Sequence, residues 1–389
     1  MKNRFPFFRN NKDTVYLDSA ASTHMVDTAL NKQMSFISND YSNIHRGLYK
    51  QSELSTKLFE DSRKVVADFI NSSINEIVWT YGTTDGLNLL ANSYSKKLVK
   101  GDIILLTEME HHANIVPWQQ LKKNGVEIKY IKVNNGILDL NDFNEKIKNQ
   151  RVKVISLTFV SNVTGVINPV NYIINKARSQ NIDTIIDAAQ AISNLDIDVK
   201  KLDCDFLVFS AHKCYGPNGL GVLYGKYNKL KELNPFRYGG DMIDSVTYES
   251  SIFKDPPYNL EAGTPNISSI VAFSESIIFL KEIKNVKKLD INLLTESLKN
   301  MDFIIIADEA LRVPMISFYH PSFSALDIAY YLTMKKLCFR VGDHCAMPFI
   351  KQNLNINGTI RFSFGVYNTI DDINAINENL EKLLKRLKK

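Results

Sequence analysis

The chain has 389 residues, of which 44% are hydrophobic and 23% charged, and its formal net charge is +5. This length exceeds what one hydrophobic core usually holds, so we expect two domains, or one large domain with a smaller appendage. Acidic and basic residues are interleaved along most of the chain, which excludes the clustered positive surface of a nucleic-acid-binding protein, and no apolar run approaches the roughly 18 residues of a membrane span.

The first half of the chain predicts a parallel sheet. Apolar residues at helical spacing predict a helix over 50–70, after which strand-like and helix-like segments alternate. The predicted strands are 76–80, 102–106, 127–133, 153–160, 184–186 and 205–209, and helices are predicted to begin near Thr84, Asn114 and Pro169. This order predicts an α/β domain with a mostly parallel sheet covered by helices, in which ligands bind beyond the carboxyl ends of strands.

The alternation stops after Tyr224, and residues 236–265 are rich in Gly, Pro and aromatic residues, which indicates an extended loop or hairpin. Later predicted elements are helices at 268–283, 289–300, 325–336 and 371–387 and strands at 303–306, 313–318 and 359–364. They predict a smaller α+β domain of two or three strands. We therefore expect a large domain over 14–265 and a small domain over 266–389 together with 1–13, ending in the basic run 385–389 as a solvated helix end.

The cysteines are Cys204, Cys214, Cys338 and Cys345, and they form neither a C-x-x-C motif nor a disulfide-rich pattern. This usage predicts a reducing compartment. The first residues carry no apolar segment of signal-peptide length, so we expect a cytoplasmic protein.

The segment Phe206–Pro217 is the first candidate for chemistry, because an apolar strand ends there in Ser210, His212 and Lys213. A lysine at the mouth of a buried sheet loses solvation, which disfavours its ammonium form and suits a Schiff base with a carbonyl group. An ordinary surface lysine after a strand gives the same local pattern. The interpretation of Lys213 therefore depends on the other strand ends.

Polar side chains lie at two of those strand ends, and each has both a structural and a functional interpretation. Asp187 follows a buried strand, and it either caps a helix or pairs with the pyridine nitrogen of a pyridoxal ring, where Gln190 would contact the ring hydroxyl. Thr83 and Thr84 join a strand to a helix, and they either cap that helix or bind a phosphate.

Two further strand ends leave alternatives open. His111 and His112 are adjacent, so their side chains diverge, and no neighbouring ligand completes a metal site. An imidazole that stacks on a planar cofactor and shuttles a proton fits this strand end better. Asn162 either shapes a turn or binds a substrate carboxylate or a cofactor hydroxyl. We expect no metal.

The segment 340–348 is predicted to be a loop that carries Cys345. A lone cysteine is most often a small buried hydrophobic residue. His344 and Arg340 favour its thiolate and Asp343 opposes it, so spacing alone does not decide whether Cys345 is a nucleophile.

These residues together resemble fold-type I pyridoxal-phosphate enzymes of the class V aminotransferase family, and in particular the group II, Suf-type cysteine desulfurases. The match covers nearly the whole chain in order, and its most specific parts are EHHANIVPW at 110–118 and HCAMP at 344–348. The other matching segments are 17–21, 43–47, 82–86, 161–163, 187–190, 210–213, 261–265 and 367–369.

The resemblance implies a role for each candidate. Lys213 would hold pyridoxal 5'-phosphate covalently and move the substrate α-proton, His111 would stack on the ring, and Cys345 would take sulfur from L-cysteine as a persulfide and release L-alanine. Asp187 would pair with the pyridine nitrogen and Gln190 would contact the ring hydroxyl. The implied phosphate ligands are Thr83, Thr84, Ser210, His212 and, from the other subunit of a homodimer, Thr264; the implied substrate-binding residues are Asn162, Arg340 and Arg361.

Three departures from the family pattern limit these expectations. Asp343 stands where the pattern R-x-G-H-H-C has an imidazole, which we expect to disfavour the Cys345 thiolate and slow persulfide formation. Residues 324–327 lack the histidine with which relatives engage a zinc-bound U-type sulfur acceptor, so an E-type acceptor protein is favoured. The segment 283–313 is short for the family.

The expected function is sulfur delivery for iron–sulfur clusters or another sulfur acceptor. The alternatives are a selenocysteine lyase or another class V aminotransferase-type enzyme, in which Cys345 is incidental, and a weakly active, cofactor-bearing scaffold for a sulfur-transfer partner.

Overall fold

The computed structural model describes residues 1–387; the last two residues of the predicted small domain and of its basic run, Lys388 and Lys389, lie outside the described residues. The α-helices are α1 Pro6–Asn10, α2 Asp27–Ser35, α3 Lys50–Ile70, α4 Thr83–Tyr94, α5 Val116–Gln119, α6 Leu140–Lys146, α7 Val170–Arg178, α8 Val199–Leu202, α9 Tyr227–Lys231, α10 Ile267–Glu282, α11 Asn292–Asn300, α12 Ala325–Thr333 and α13 Ile370–Leu387. The strands are β1 Val15–Tyr16, β2 Ile77–Thr80, β3 Ile103–Thr107, β4 Glu127–Ile131, β5 Val133–Asn134, β6 Ile137–Leu138, β7 Val152–Thr158, β8 Asp183–Asp187, β9 Phe206–Ser210, β10 Gly221–Gly225, β11 Ile243–Val246, β12 Ser251–Phe253, β13 Ile304–Ile305, β14 Met315–Tyr319, β15 Leu337–Cys338, β16 Arg340–Gly342 and β17 Thr359–Ser363.

The large sheet has the strand order β2-β10-β9-β8-β7-β3-β4. Strands β9, β8, β7, β3 and β4 pair in parallel, and β10 runs antiparallel to both of its neighbours. Alternate residues of one strand enter different cores: Leu207 and Phe209 pack on one face and Val208 on the other. Both faces are therefore buried, which explains the continuous apolar strands and confirms the predicted α/β fold.

No predicted element corresponds to strand β10. Its apolar centre is short and lies between glycines, a pattern that is typical of a turn. Its first residue, Gly221, lies against the backbone of Gly82, and a Cβ at Gly221 would come within 2.5 Å of the Gly82 Cα. This close approach fixes the turn that leads from β2 into α4.

The small sheet has the strand order β13-β14-β17-β16 and is antiparallel. The prediction of two or three strands is wrong, because a fourth strand, β16, lies in the predicted loop at 340–348. Strand β16 spans three residues and lies at the sheet edge, so its sequence has no room for the alternation that signals a strand.

The large sheet and the small sheet pack against different hydrophobic clusters. A separate hydrophobic cluster lies under the small sheet and includes residues of α11, α12 and α13, joined by Leu17 from the N-terminal segment. Phe5 and Phe8 from that same segment, and most buried residues of α10, belong to a cluster of the large sheet. The domain boundary after residue 265 stays a prediction.

The segment 236–265 contains the hairpin β11–β12, which confirms the predicted extended loop or hairpin. The helix predicted near Asn114 is the single turn α5 flanked by 3₁₀ turns. Within residues 1–387, no helix combines the length and the apolar character that crossing a membrane requires.

Candidate active site

The carboxyl ends of β2, β3, β7, β8 and β9 meet at one edge of the large sheet, since these strands run in the same direction. A cavity of about 190 Å³ lies beyond this edge. Its wall contains the predicted cofactor- and substrate-binding residues Thr83, Thr84, His111, Asn162, Asp187, Gln190, Ser210, His212, Lys213, Arg340 and Arg361. The parallel topology thus brings together residues that are far apart in sequence.

The N-terminus of α4 forms one wall of the cavity. Thr83 donates its backbone N–H to the Ser210 hydroxyl oxygen at 2.8 Å, and the two hydroxyl oxygens lie 2.7 Å apart. Gly82 precedes them with φ +146°, a conformation that disfavours any side chain. Free backbone N–H groups and hydroxyls at a helix N-terminus suit a phosphate group.

Lys213 lies in the 3₁₀ turn directly after β9, and its amine faces the cavity together with Asp187 at the end of β8. Burial lowers the pKa of Lys213, while the charge of Asp187 opposes that shift. Burial raises the pKa of Asp187, while the N–H of Ala189 at 2.9 Å and the charge of Lys213 lower it. The neutral amine that attacks a carbonyl is therefore favoured.

His111 and His212 are neutral imidazoles. Burial, and secondly the charge of Lys213, lowers the pKa of His111 to about 3, and the same two causes lower that of His212 to about 4. The His111 Nδ1 accepts the Ala113 N–H at 3.0 Å, so its Nε2 carries the proton. A neutral ring at the cavity wall is suited to stacking on a planar cofactor.

Glu110 fixes the segment that carries His111, a role the sequence did not reveal. Its buried carboxylate accepts from the Thr107 hydroxyl at 2.5 Å, the Asn114 side chain at 2.7 Å and the Thr158 backbone at 3.1 Å. Burial raises the pKa of Glu110 to about 7 although all three donors lower it. The carboxylate thereby connects the ends of β3 and β7.

Asp18 joins the two predicted arginines, although it was not among the candidate site residues. One carboxylate oxygen accepts from Arg361 at 3.0 Å and the other from Arg340 at 3.4 Å. Arg361 is buried, which lowers its pKa, and Asp18 opposes this shift. Asp18 therefore holds a pair of cations at the cavity wall.

Several polar groups at this wall are left for a ligand. Asn162 accepts from Arg361 through its backbone oxygen at 2.6 Å. Within residues 1–387, however, the buried Asn162 Oδ1 and Arg361 Nε have no hydrogen-bond partner. Buried polar atoms without partners are costly, so this part of the wall is suited to a polar ligand: the Arg361 Nε–H is a donor for a carboxylate, and the Asn162 Oδ1 is an acceptor for an N–H or O–H group.

Cys345 lies on the cysteine loop, defined as residues 343–347, and does not line the cavity. Its side chain is exposed, yet its charge raises the pKa of Lys213, so the thiol lies within electrostatic reach of the amine. His344 and Cys345 have φ values of 50° and 57°. Left-handed backbone at consecutive non-glycine residues costs about 1–3 kcal/mol at each, so the surrounding contacts must hold the loop.

Thr264 is the other predicted residue that lies outside the cavity wall, and it is exposed. Its segment is anchored by Glu261, which accepts from the Arg63 guanidinium at 2.7 and 2.9 Å. A role in the site of another subunit stays a prediction.

A helix N-terminus suited to an anion, a buried carboxylate and a desolvated lysine around one cavity fit the phosphate, ring nitrogen and aldehyde of pyridoxal phosphate, which defines a pyridoxal-phosphate-dependent class of enzyme. The orphaned Asn162 Oδ1 and Arg361 Nε leave room for polar contacts beside it. The family model described as aminotransferase class-V matches residues 15–376. The chain belongs to this family, which confirms the predicted membership.

Curated and solved relatives are more specific. The chain is 39% identical to a cysteine desulfurase of Wigglesworthia glossinidia brevipalpis, over 98% of this chain and 95% of that protein. The apo structure of a cysteine desulfurase from Thermococcus onnurineus NA1 has a TM-score of 0.93 at 32% identity and covers 99% of this chain and 97% of its own. The cysteine desulfurase CsdA (S-sulfonic acid) from Escherichia coli has a TM-score of 0.87 at 30% identity, with the same coverage.

Proposed function

We infer that the chain is a pyridoxal-phosphate-dependent cysteine desulfurase that converts L-cysteine to L-alanine. Relatives at 35–39% identity over nearly the whole chain carry that name. The observation that carries the inference in this chain is the position of Cys345, whose backbone oxygen accepts the N–H of His112 at 2.7 Å, directly beside the cavity residue His111. Sulfur abstraction requires a cysteine on a segment that borders the cavity, and this hydrogen bond joins the Cys345 backbone to the segment that carries His111.

Each side chain has a task in this proposal. Pyridoxal phosphate, when bound, supplies an electron sink that acidifies the substrate α-carbon and weakens its carbon–sulfur bond. Lys213 moves the α-proton, and Arg361 with Asn162 binds the substrate carboxylate, with Arg340 beside them. The Cys345 thiolate attacks the substrate sulfur, so that a sulfur–sulfur bond forms as the carbon–sulfur bond breaks. The electron pair of the broken bond stays with the substrate β-carbon, which takes up a proton, and the organic product leaves as alanine.

The cofactor contacts follow from the wall residues. Thr83, Thr84, Ser210 and His212 would bind the phosphate, Asp187 would pair with the ring nitrogen and Gln190 would contact the ring hydroxyl. Gln190 is held in place because its Nε2 donates to the Ala20 carbonyl at 2.6 Å. His111 would cover the ring face.

The proposal includes a homodimer in which Thr264 completes the partner's phosphate site. Large apolar side chains are exposed on and around the β11–β12 hairpin: Tyr238, Val246, Tyr248, Ile252 and Phe253. A cluster of this kind on the surface is typical of a protein interface.

We place the chain in the Suf-type group II, in the cytoplasm, delivering sulfur for iron–sulfur clusters or a related use. The proposed acceptor is an E-type protein. Ser324 caps the N-terminus of helix α12, because its hydroxyl oxygen accepts the Leu326 N–H at 3.2 Å, and residues 324–327 offer no histidine to a zinc-bound acceptor.

A product assay tests the function. Purified protein with cysteine and a reductant should yield equal amounts of alanine and sulfide, and Cys345→Ser should abolish both while the visible absorption of the bound cofactor remains. Cys338→Ser, a change at the other cysteine that is not fully buried, is the matched control and should keep the activity.

The same assay separates the alternatives. Full activity of Cys345→Ser would exclude the persulfide mechanism. Cofactor binding without turnover by the parent protein would favour a scaffold, and a much higher kcat/KM for selenocysteine would favour a selenocysteine lyase.

A further inference from the structure

His112 contacts the cysteine loop on both sides of Cys345. Its backbone N–H donates to the Cys345 carbonyl oxygen at 2.7 Å, and its ring Nε2 accepts the Met347 backbone N–H at 2.9 Å. One residue thus binds two positions of the loop from the segment that also carries His111.

Two further hydrogen bonds hold the residue before the cysteine. The Asn162 side chain donates to the His344 carbonyl oxygen at 2.6 Å, and the His344 Nε2 lies 2.8 Å from the Thr359 hydroxyl. Because His344 and Cys345 both have left-handed backbone, the loop relaxes once these contacts are lost.

We propose that His112 is a positioning residue for sulfur transfer: as a neutral acceptor it holds the cysteine loop at Met347, and its protonation loosens the loop at that position. This inference rests on the proposed role of Cys345 as the sulfur carrier. His112 lies outside the cavity wall, so it acts through the loop.

The ring must be neutral for this contact, since an Nε2 that accepts the Met347 N–H has no proton of its own. Burial lowers the pKa of His112, and the charge of Asp343, on the loop itself, opposes that shift. Of the other titratable groups nearby, His111 is neutral and Lys351 lies 3.8 Å from the Asp343 carboxylate. Burial therefore moves the loss of this contact to lower pH, and Asp343 moves it part of the way back.

Hydrogen exchange and thiol alkylation in the holoenzyme test the proposal without depending on turnover. His112→Phe removes the acceptor, and the Met347 amide should then exchange about tenfold faster, the value of one lost hydrogen bond. Iodoacetamide should also modify Cys345 faster. If cysteine is the substrate, kcat should fall about 100-fold, because the Cys345 thiol is no longer held in its reactive position. KM for cysteine and the absorption of the bound cofactor should stay nearly unchanged.

His112→Gln is the conservative variant, because its side-chain oxygen accepts a hydrogen bond and cannot be protonated. It should restore protection of the Met347 amide and remove the loss of protection that the parent shows as pH falls. Asp343→Asn should move that loss to lower pH. Unchanged exchange in His112→Phe, or the same acid dependence in His112→Gln, would overturn the proposal, whereas absent desulfuration with the expected exchange would count only against the proposed function.

Discussion

At the scale of single residues, Asp18 controls the two arginines of the site. Asp18→Asn removes the charge that holds Arg361 and Arg340. We expect KM for cysteine to rise roughly ten- to hundredfold, because a hydrogen bond to a charged group contributes about that factor. The change in kcat should be smaller. Steady-state kinetics of Asp18→Asn and of the parent protein measure KM and kcat. Asp13→Asn is the control, because the Asp13–Lys336 pair is exposed and should leave KM unchanged. Equal KM values for Asp18→Asn and the parent would contradict this role.

The residues that local patterns revealed best lie at or just after the end of a strand. Lys213, Asp187 and His111 could be placed because buried strands have a recognisable pattern and parallel strands end at one edge. Asp18, Glu110 and His112 could not be assigned roles, since their partners lie far away in the chain or depend on loop geometry. The carboxylate of Asp18, for example, pairs with Arg361 across 343 positions of sequence.

At the scale of elements, a buried ion pair ties α3 to the segment that carries Thr264. Arg63 and Glu261 have side-chain exposures of 1% and 10%. Arg63→Ala leaves a buried carboxylate without its cation, so we expect the free energy of unfolding to fall by about 3–5 kcal/mol. Urea unfolding measures this, and Lys57→Ala, which removes an exposed pair with Asp61, should change it by less than about 1 kcal/mol. A similar small loss in both variants would refute the assignment.

Helices and strands were predicted correctly where their apolar residues repeat over enough positions to reveal the period. Helix α3 has the predicted bounds, and each of the parallel strands β3, β4, β7, β8 and β9 overlaps a predicted strand. In the seven-stranded and four-stranded sheets the strands without a predicted counterpart are β10 and β16, short strands whose residues resemble a turn and a loop. Their pairing is decided by neighbouring strands, which no local pattern records.

At the scale of the whole molecule, neutral histidines that are partly or fully buried make the fold sensitive to acid. The pKa of His24, His111, His212 and His344 is lowered to about 4, 3, 4 and 2, in each case mainly by burial. The unfolded chain binds protons at these residues below about pH 6.5 and the folded chain does not, so stability should fall from pH 6.5 towards pH 4. Glu110, with its pKa raised to about 7, offsets part of this loss.

Urea unfolding of the cofactor-free protein at pH 7 and pH 5 measures the effect. His24→Phe keeps the packing on Phe7, whose ring centroid lies 3.8 Å from that of His24, and should lessen the pH dependence by up to about 1.4 kcal/mol per pH unit. Equal or greater stability at pH 5 would contradict the expectation.

Assembly is the other property of the whole molecule. If the β11–β12 hairpin forms the dimer interface, Tyr248→Asp should shift the protein to a monomer in sedimentation and weaken cofactor binding, because Thr264 would no longer complete the partner's site. Leu311→Asp changes an exposed leucine outside the hairpin and should leave the dimer intact. A parent protein that sediments as a monomer with full activity would exclude this arrangement.

The central claim is that sulfur leaves cysteine onto Cys345, and a single-turnover experiment tests it most directly. The holoenzyme is mixed with one equivalent of cysteine without reductant, alkylated, digested and analysed by mass spectrometry, while alanine is measured in the same sample. We predict one additional sulfur atom on the Cys345 peptide for each alanine formed, and none on the Cys338 peptide. Alanine formed in full yield with no additional sulfur on Cys345 would contradict the account.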